Sequence, residues 1–181
     1  MKQITLVVAL FAMVAVSANA QQGFAEKGTS IAKIGVGYAA LGFPVEASYE
    51  KSIKNDFLGI KKFNLAGGGY LGYFGYKEKV GAWAGEEYGW KYTNIIVGAR
   101  AIGHYQFFEK IDTYTGIMLG YNIASLKFYG DDTFNLDSPS AGGFAWAGMV
   151  GARYKFNKTT GIYVEGGAGI ANLTVGIAFN L

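Results

Sequence analysis

The sequence predicts an all-β protein: an eight-stranded antiparallel up-and-down barrel that crosses a membrane and follows a cleavable leader. Three observations carry this. Apolar and polar residues alternate with period two along seven segments of the chain after the leader. Every charge in those segments lies off the apolar stripe, as in Lys33, Glu46, Glu50, Arg100, His104, Asp112, Arg153, Lys155 and Glu165. The face opposite the stripe is thin in charge and rich in Gly35, Gly37, Gly98, Gly120, Ala145, Ala147, Gly151, Gly167 and Gly169. A charge-free stripe suits either a soluble core or a lipid face. A second face made of small residues suits a narrow lumen, because eight strands leave an interior just wide enough for side chains to fill.

Composition narrows the class further. Hydrophobic residues make up 51% of the 181, aromatics 16% and charged residues 16%, an apolar excess that excludes a disordered chain. With no Cys, a disulfide scaffold and a thiolate metal site are excluded. The net charge of +3 is too small for a nucleic-acid surface, so no nucleic-acid partner is expected.

Residues 1–20 read as a signal peptide. Lys2 precedes an apolar run from Ile4 to Val16, and Ala18-Asn19-Ala20 offers a cut between Ala20 and Gln21. The run is shorter than the roughly 20 residues a spanning helix needs. Residues 21–181 are then one barrel domain.

The elements follow in order. Ile34, Val36 and Tyr38 alternate with Lys33, and Phe43, Val45, Ala47 and Tyr49 alternate with Glu46, Ser48 and Glu50. The segment 63–76 is less clean: Tyr70, Phe74 and Tyr76 oppose Leu65, Leu71 and Tyr73, and Gly67-Gly68-Gly69 is the expected place for a bulge. Ile95, Val97, Ala99, Ala101, Tyr105 and Phe107 share one parity against Asn94, Arg100, His104 and Gln106. Thr113, Ile117, Leu119, Tyr121 and Ile123 oppose Asp112, Tyr114 and Asn122; Phe144, Trp146, Val150, Tyr154 and Phe156 oppose Arg153 and Lys155. Ile162, Val164 and Ile170 oppose Tyr163 and Glu165, and Leu173, Val175, Ile177, Phe179 and Leu181 oppose Thr174 and Asn180. Aromatics near segment ends suggest interfacial girdles. The connections are expected at 40–42, 77–92, 126–143 and 170–172 on one rim and at 52–62, 108–111 and 157–160 on the other. Long loops belong outside and short turns in the periplasm.

Four stretches carry a resemblance: Gly69-Tyr70-Leu71-Gly72-Tyr73, Ile96 to Arg100 with His104-Tyr105-Gln106-Phe107, Asp112 to Asn122, and the closing Val164 to Leu181. Through them residues 23–181 resemble the small eight-stranded outer-membrane barrels of Gram-negative bacteria, the OmpX, OmpA transmembrane-domain and opacity-protein group. The resemblance implies outer-membrane residence, contact with outer-membrane lipid and lipopolysaccharide, assembly by the barrel-assembly machinery and a monomeric state. The terminal stripe resembles the strand which that machinery reads, although this chain ends in Leu181 where many relatives end in Phe.

The candidate chemistry is sparse. His104 is the sole histidine, and no serine lies within four residues of it, so a lumen-filling role is expected and a lipid-modifying triad is not. Gly67, Gly69 and Gly72 match G-x-G-x-x-G, but the strand that follows cannot present a helix N-terminus to phosphate. Asn157-Lys158-Thr159 and Asn172-Leu173-Thr174 are chance matches to the glycosylation sequon. Asp131, Asp132 and Asp137 lack the glycine and glutamate of a calcium loop, so neither a metal site nor a cofactor is expected. The inward charges Lys33, Glu46, Glu50, Arg100, His104, Arg153, Lys155 and Glu165 are expected to form a lumen network, with Arg153 opposite Val164 and beside Glu165, and Lys33 near Glu46 and Ser48. Function is expected in the protruding segments, through Trp83, Tyr88, Trp90, Phe128, Tyr129 and Phe134, in envelope integrity or contact with an extracellular ligand or surface partner. The alternatives are a conduit for a small hydrophobic molecule past Tyr70, Phe74 and Tyr76, a lipid-modifying enzyme, and a soluble lipocalin-like barrel.

Overall fold

The computed structural model describes residues 25–40, 42–83, 86–108, 110–130 and 140–181; the leader, with the expected cut between Ala20 and Gln21, lies outside them. Eight strands form: β1 (Ser30–Tyr38), β2 (Val45–Lys54), β3 (Phe63–Trp83), β4 (Glu86–Phe108), β5 (Ile111–Tyr129), β6 (Ser140–Lys155), β7 (Thr160–Ala168) and β8 (Leu173–Asn180). Each pairs antiparallel with its chain neighbours, and β1 pairs with β8, so the sheet closes into a barrel with no free edge around its waist.

The expected parity holds on the seven strands that alternate cleanly. Ile34, Val36, Val97, Ile117, Leu119, Trp146, Val150, Val164, Val175 and Ile177 project outward and are exposed, while Lys33, Glu46, Glu50, Arg100, His104, Asp112, Arg153 and Glu165 are buried inside. Water would select the reverse arrangement. A continuous exposed apolar belt is the signature of a lipid-facing wall, and closure satisfies the backbone groups that hydrocarbon leaves without partners. No helix among the described residues is long and apolar enough to cross a membrane; the crossing is made by strands.

The ambiguous strand is settled by its neighbours. Tyr70 is buried and Phe74 packs against the cluster of Tyr70, Ile96, Met118 and Met149, whereas Tyr73 is exposed. The expected bulge at Gly67–Gly69 is absent: those three glycines pair in sequence with Lys51, Glu50 and Tyr49, and the irregularity falls on β2 between Ser52 and Lys54. Gly68 serves a different need. A Cβ there would strike the carbonyl oxygen of Tyr49 and the Cα of Glu50, so the glycine permits close backbone approach.

The connections expected at 77–92 and 126–143 are corrected: residues 77–83, 86–92, 126–129 and 140–143 are strand. The β3–β4 ladder continues to Trp83 opposite Glu86, β4–β5 to Gly89 opposite Tyr129, and β5–β6 to Ser125 opposite Ser140. By contrast, β2–β3 pairing stops at Val45 opposite Tyr73, and β6–β7 pairing at Gly148 opposite Ala168. Four strands therefore rise past the rim as a curved sheet. Beyond the lipid both faces of that sheet meet water, so the one-sided apolar stripe that marks a spanning strand is lost while the backbone ladder continues.

The opposite rim is short. Among the described residues it carries a 3-10 turn at Phe57–Gly59 and a turn before β7, where the Asn157 side-chain oxygen accepts from the backbone N–H of Thr159 at 2.9 Å and of Thr160 at 2.8 Å. Ile170, expected on the outer stripe, instead lies beyond β7 and packs against the Tyr70–Met149 cluster, where it lids the mouth of the lumen.

Candidate functional site

Strand alternation aims one residue in two at the lumen, and closure brings residues far apart in sequence face to face. The result is one chain of ionic groups across the interior. Arg153 Nη2 lies 3.1 Å from Asp112 Oδ2, and the same oxygen lies 2.8 Å from His104 Nδ1. His104 Nε2 faces Glu50 Oε1 at 3.6 Å; Glu50 Oε2 meets Lys33 Nζ at 3.2 Å; Lys33 Nζ reaches Glu165 Oε2 at 3.6 Å. Glu165 Oε2 closes on Arg100 Nη2 at 2.8 Å and also accepts from the Tyr114 hydroxyl at 3.1 Å. Arg100 further contacts the Met149 sulfur and donates to Ser48 Oγ at 3.3 Å.

Glu46 stands apart. Its two oxygens accept from the hydroxyls of Tyr163 at 3.0 Å and Tyr70 at 3.1 Å, and among the described residues no cation pairs with it. Aromatic rings cover the rest of the network. Lys33 Nζ lies 4.4 Å from the centre of the Tyr114 ring, and the Arg100 guanidinium 5.9 Å from that of Tyr70. Opposite these bulky groups the wall is glycine: a Cβ at Gly151 would collide with the Tyr114 ring, and one at Gly35 with the Tyr163 hydroxyl. This explains the small residues of the inner face. The cavity between Glu46, Tyr70, Met118, Met149, Glu165 and Thr174 measures about 20 Å³, room for about one water.

Two expected pairings are corrected. Arg153 faces Asp112 and sits opposite Tyr163, with Glu165 given to Arg100 and Lys33. Lys33 does sit opposite Ser48, but its carboxylate partners are Glu50 and Glu165, not Glu46. Hairpin pairing alone would join charges on neighbouring strands. The inclined hydrogen-bond rows of a closed barrel, and side chains long enough to cross the lumen, decide otherwise. Lys155 lies at the short-turn end of β6 and is half-buried, on the margin of the network.

The contact candidates also change character. Tyr88, Trp90, Phe128 and Tyr129 sit on strands of the raised sheet, not on loops. Trp90 meets Phe128 edge-on with centroids 5.3 Å apart, Tyr88 lies 6.3 Å from the same ring, and Lys77 Nζ sits 5.1 Å from the centre of the Tyr129 ring. Tyr76 and Tyr92 stack at 4.5 Å, a contact the sequence does not announce because it depends on the β3–β4 register. Phe134, the side chain of Trp83, and the acidic residues Asp131, Asp132 and Asp137 lie outside the described residues. Among the described residues no group of His, Asp and Glu is arranged to hold a metal.

An apolar exterior, an ionic lumen and eight antiparallel strands closed on themselves define a small membrane-spanning β-barrel of the class that resides in bacterial outer membranes. The N-terminal β-barrel domain of Pseudomonas aeruginosa OprF shares this fold, at 14% identity over 84% of this chain and 96% of that one, with a TM-score of 0.50. Two structures of Ail, the attachment invasion locus protein of Yersinia pestis, are also similar. The crystal structure in complex with the heparin analogue sucrose octasulfate is 14% identical over 85% of this chain and 95% of that one, with a TM-score of 0.46. The backbone structure in a phospholipid bilayer nanodisc is 14% identical over 86% and 100%, with a TM-score of 0.45. No protein-family model and no curated protein matches the chain.

Proposed function

We propose that the protein is a non-conducting, non-enzymatic anchor in the outer membrane that serves envelope integrity or surface contact through its raised sheet. One observation carries this: the lumen is closed by a continuous chain of buried ion pairs, while four strands continue past the rim into water. The cavity beside Glu46 and Glu165, at about 20 Å³, has room for about one water, which favours the wall above the membrane as the recognition surface. His104 is held between Asp112 and Glu50, and among the described residues no serine or threonine hydrogen-bonds its ring, which supports a structural role for it. The raised sheet faces outward in this reading, in keeping with short turns on the periplasmic side of such barrels.

The test has two arms. Full-length protein in planar bilayers is expected to show no unit conductance. Replacing residues 77–92 with a two-residue turn is expected to leave a barrel whose native and heat-denatured forms still migrate differently on a detergent gel. The same shortening is expected to reduce adherence or detergent resistance of cells that express it. Steady conductance in the whole chain, or unchanged surface behaviour of the shortened chain, would overturn the proposal.

A further inference from the structure

On the raised sheet three lysines stand directly opposite one another on adjacent strands: Lys77 of β3 pairs with Lys91 of β4, which pairs with Lys127 of β5. All three are exposed. Their parity matches that of Tyr73, Ile95 and Ile123, so they project from the outer face of the barrel wall. Neighbouring strands lie about 4.8 Å apart, which gathers the three ammonium stems within roughly 10 Å. Like charges directly opposite one another destabilise a sheet. Among the described residues no carboxylate forms an ion pair with any of the three, although Lys79, two positions further along β3, is paired to Glu87 at 2.5 Å. Lys77 Nζ lies 5.1 Å from the centre of the Tyr129 ring, but among the described residues neither Lys91 nor Lys127 has such a contact, and folding gives no reason to set three lysines in one row.

Its height gives one. On each strand the row stands four residues beyond an exposed apolar residue of the belt: Lys77 beyond Tyr73, Lys91 beyond Ile95, and Lys127 beyond Ile123. At roughly 3.3 Å per residue and a tilt near 45°, that is about 9 Å along the barrel axis. The headgroup layer occupies about 5–8 Å on each side of the hydrocarbon, within reach of a lysine side chain at that height. Between belt and lysines lies a row of small residues, Gly75, Thr93 and Ser125, which leaves the wall open for a headgroup.

We propose that Lys77, Lys91 and Lys127 form a binding site for the phosphate groups of a lipid headgroup in the outer leaflet, with the apolar wall beneath contacting the acyl chains of the same lipid. The site rests on the outward orientation of the raised sheet proposed above. A lipid fits better than a dissolved polyanion because the lysine row is continuous, through the small-residue row, with the acyl-facing belt.

The test uses the full chain in phosphatidylcholine nanodiscs doped equally with bisphosphorylated lipid A and the same lipid A with its phosphates removed. The ratio of the two lipids retained on the purified protein is then measured. A lysine near an anionic lipid surface is worth about fivefold in partition, so three together give about a hundredfold preference for the phosphorylated form. Lys91→Gln should lower the preference about fivefold, and the triple Lys→Gln variant should abolish it. The triple Lys→Arg variant should keep it, as should Lys51→Gln with Lys54→Gln and Lys158→Gln at the opposite rim. Equal retention of both lipids by the wild type, or full preference in the triple Gln variant, would overturn the site. So would equal retention of both lipids together with binding of a dissolved sulfated oligosaccharide that the triple Gln variant loses, which would assign the row to a soluble polyanion. Failure of the wild type to insert at all, seen as no difference in migration between native and heated protein, would refute the membrane reading itself and is distinguishable from failure of the site.

Discussion

Breaking the lumen network at Arg100 should destabilise the barrel far more than breaking it at the carboxylate that Arg100 contacts most closely. The buried side chains include four carboxylates, Glu46, Glu50, Asp112 and Glu165, against three basic groups other than His104, namely Lys33, Arg100 and Arg153. Arg100→Met leaves two cations for the same four acids, with Glu165 held only by Lys33 at 3.6 Å and the Tyr114 hydroxyl. Removal of one partner of a buried pair costs about 3–5 kcal/mol, because the remaining charge stays desolvated. Glu165→Gln moves the balance the other way, to three acids and three cations, and Arg100 keeps its Ser48 contact. Its cost should be smaller by at least about 1.4 kcal/mol, a factor of ten in the folding equilibrium. Arg100→Met combined with Glu165→Leu should return to within about 2 kcal/mol of the wild type, since a packed apolar pair substitutes well for a buried ion pair. The assay is equilibrium urea unfolding from lipid vesicles, followed by tryptophan fluorescence and by gel migration so that the two probes can be compared. If Glu165→Gln were as damaging as Arg100→Met, the charge balance of the lumen would not govern its stability.

Other outcomes follow from the same wall. Ile117 is 55% exposed on the outer face in mid-strand, so Ile117→Arg should cost about 2–4 kcal/mol in vesicle unfolding, as a lipid-facing cation does. A Cβ at Gly120 would meet the carbonyl of Val97 and the Cα of Gly98, whereas one at Gly143 would meet nothing within 4 Å. Gly120→Val should therefore lower the temperature at which the folded gel band disappears, and Gly143→Ala should leave it unchanged. Asp112→Asn weakens the anchor shared by His104 and Arg153, so the His104 ring proton signals should shift in NMR spectra of the folded protein, with those of the raised sheet unaffected.

The waist of the barrel was legible because lipid imposes a one-sided rule: an outward Arg or Glu is too costly, so the parity of Lys33, Glu50, Arg100, Arg153 and Glu165 gave inside and outside directly. The same rule lapses above the membrane, where Lys77 to Tyr92 alternate between two wet faces and resemble a loop although every described residue of that stretch is in strand. The network members were legible as a set, and their partners were not. Arg100 and Glu165 lie on opposite sides of the lumen, 65 residues apart in the chain, and nothing local relates them. Which residue on β3 faces inward was undecidable from Tyr70 and Tyr73 alone; pairing of Tyr70 with Ser48 on one side and Gly98 on the other fixes it.

The chain contains no cysteine, so a single one can be introduced anywhere as a spin-label site without removing another. Labels at Val97, Ile117, Leu119 and Val175 in vesicles should collide freely with dissolved oxygen and hardly at all with a water-soluble nickel chelate, the pattern of hydrocarbon contact. Equal or greater collision with the nickel chelate at these four positions would mean that water covers the outer wall, and the account of a lipid-facing barrel would be wrong.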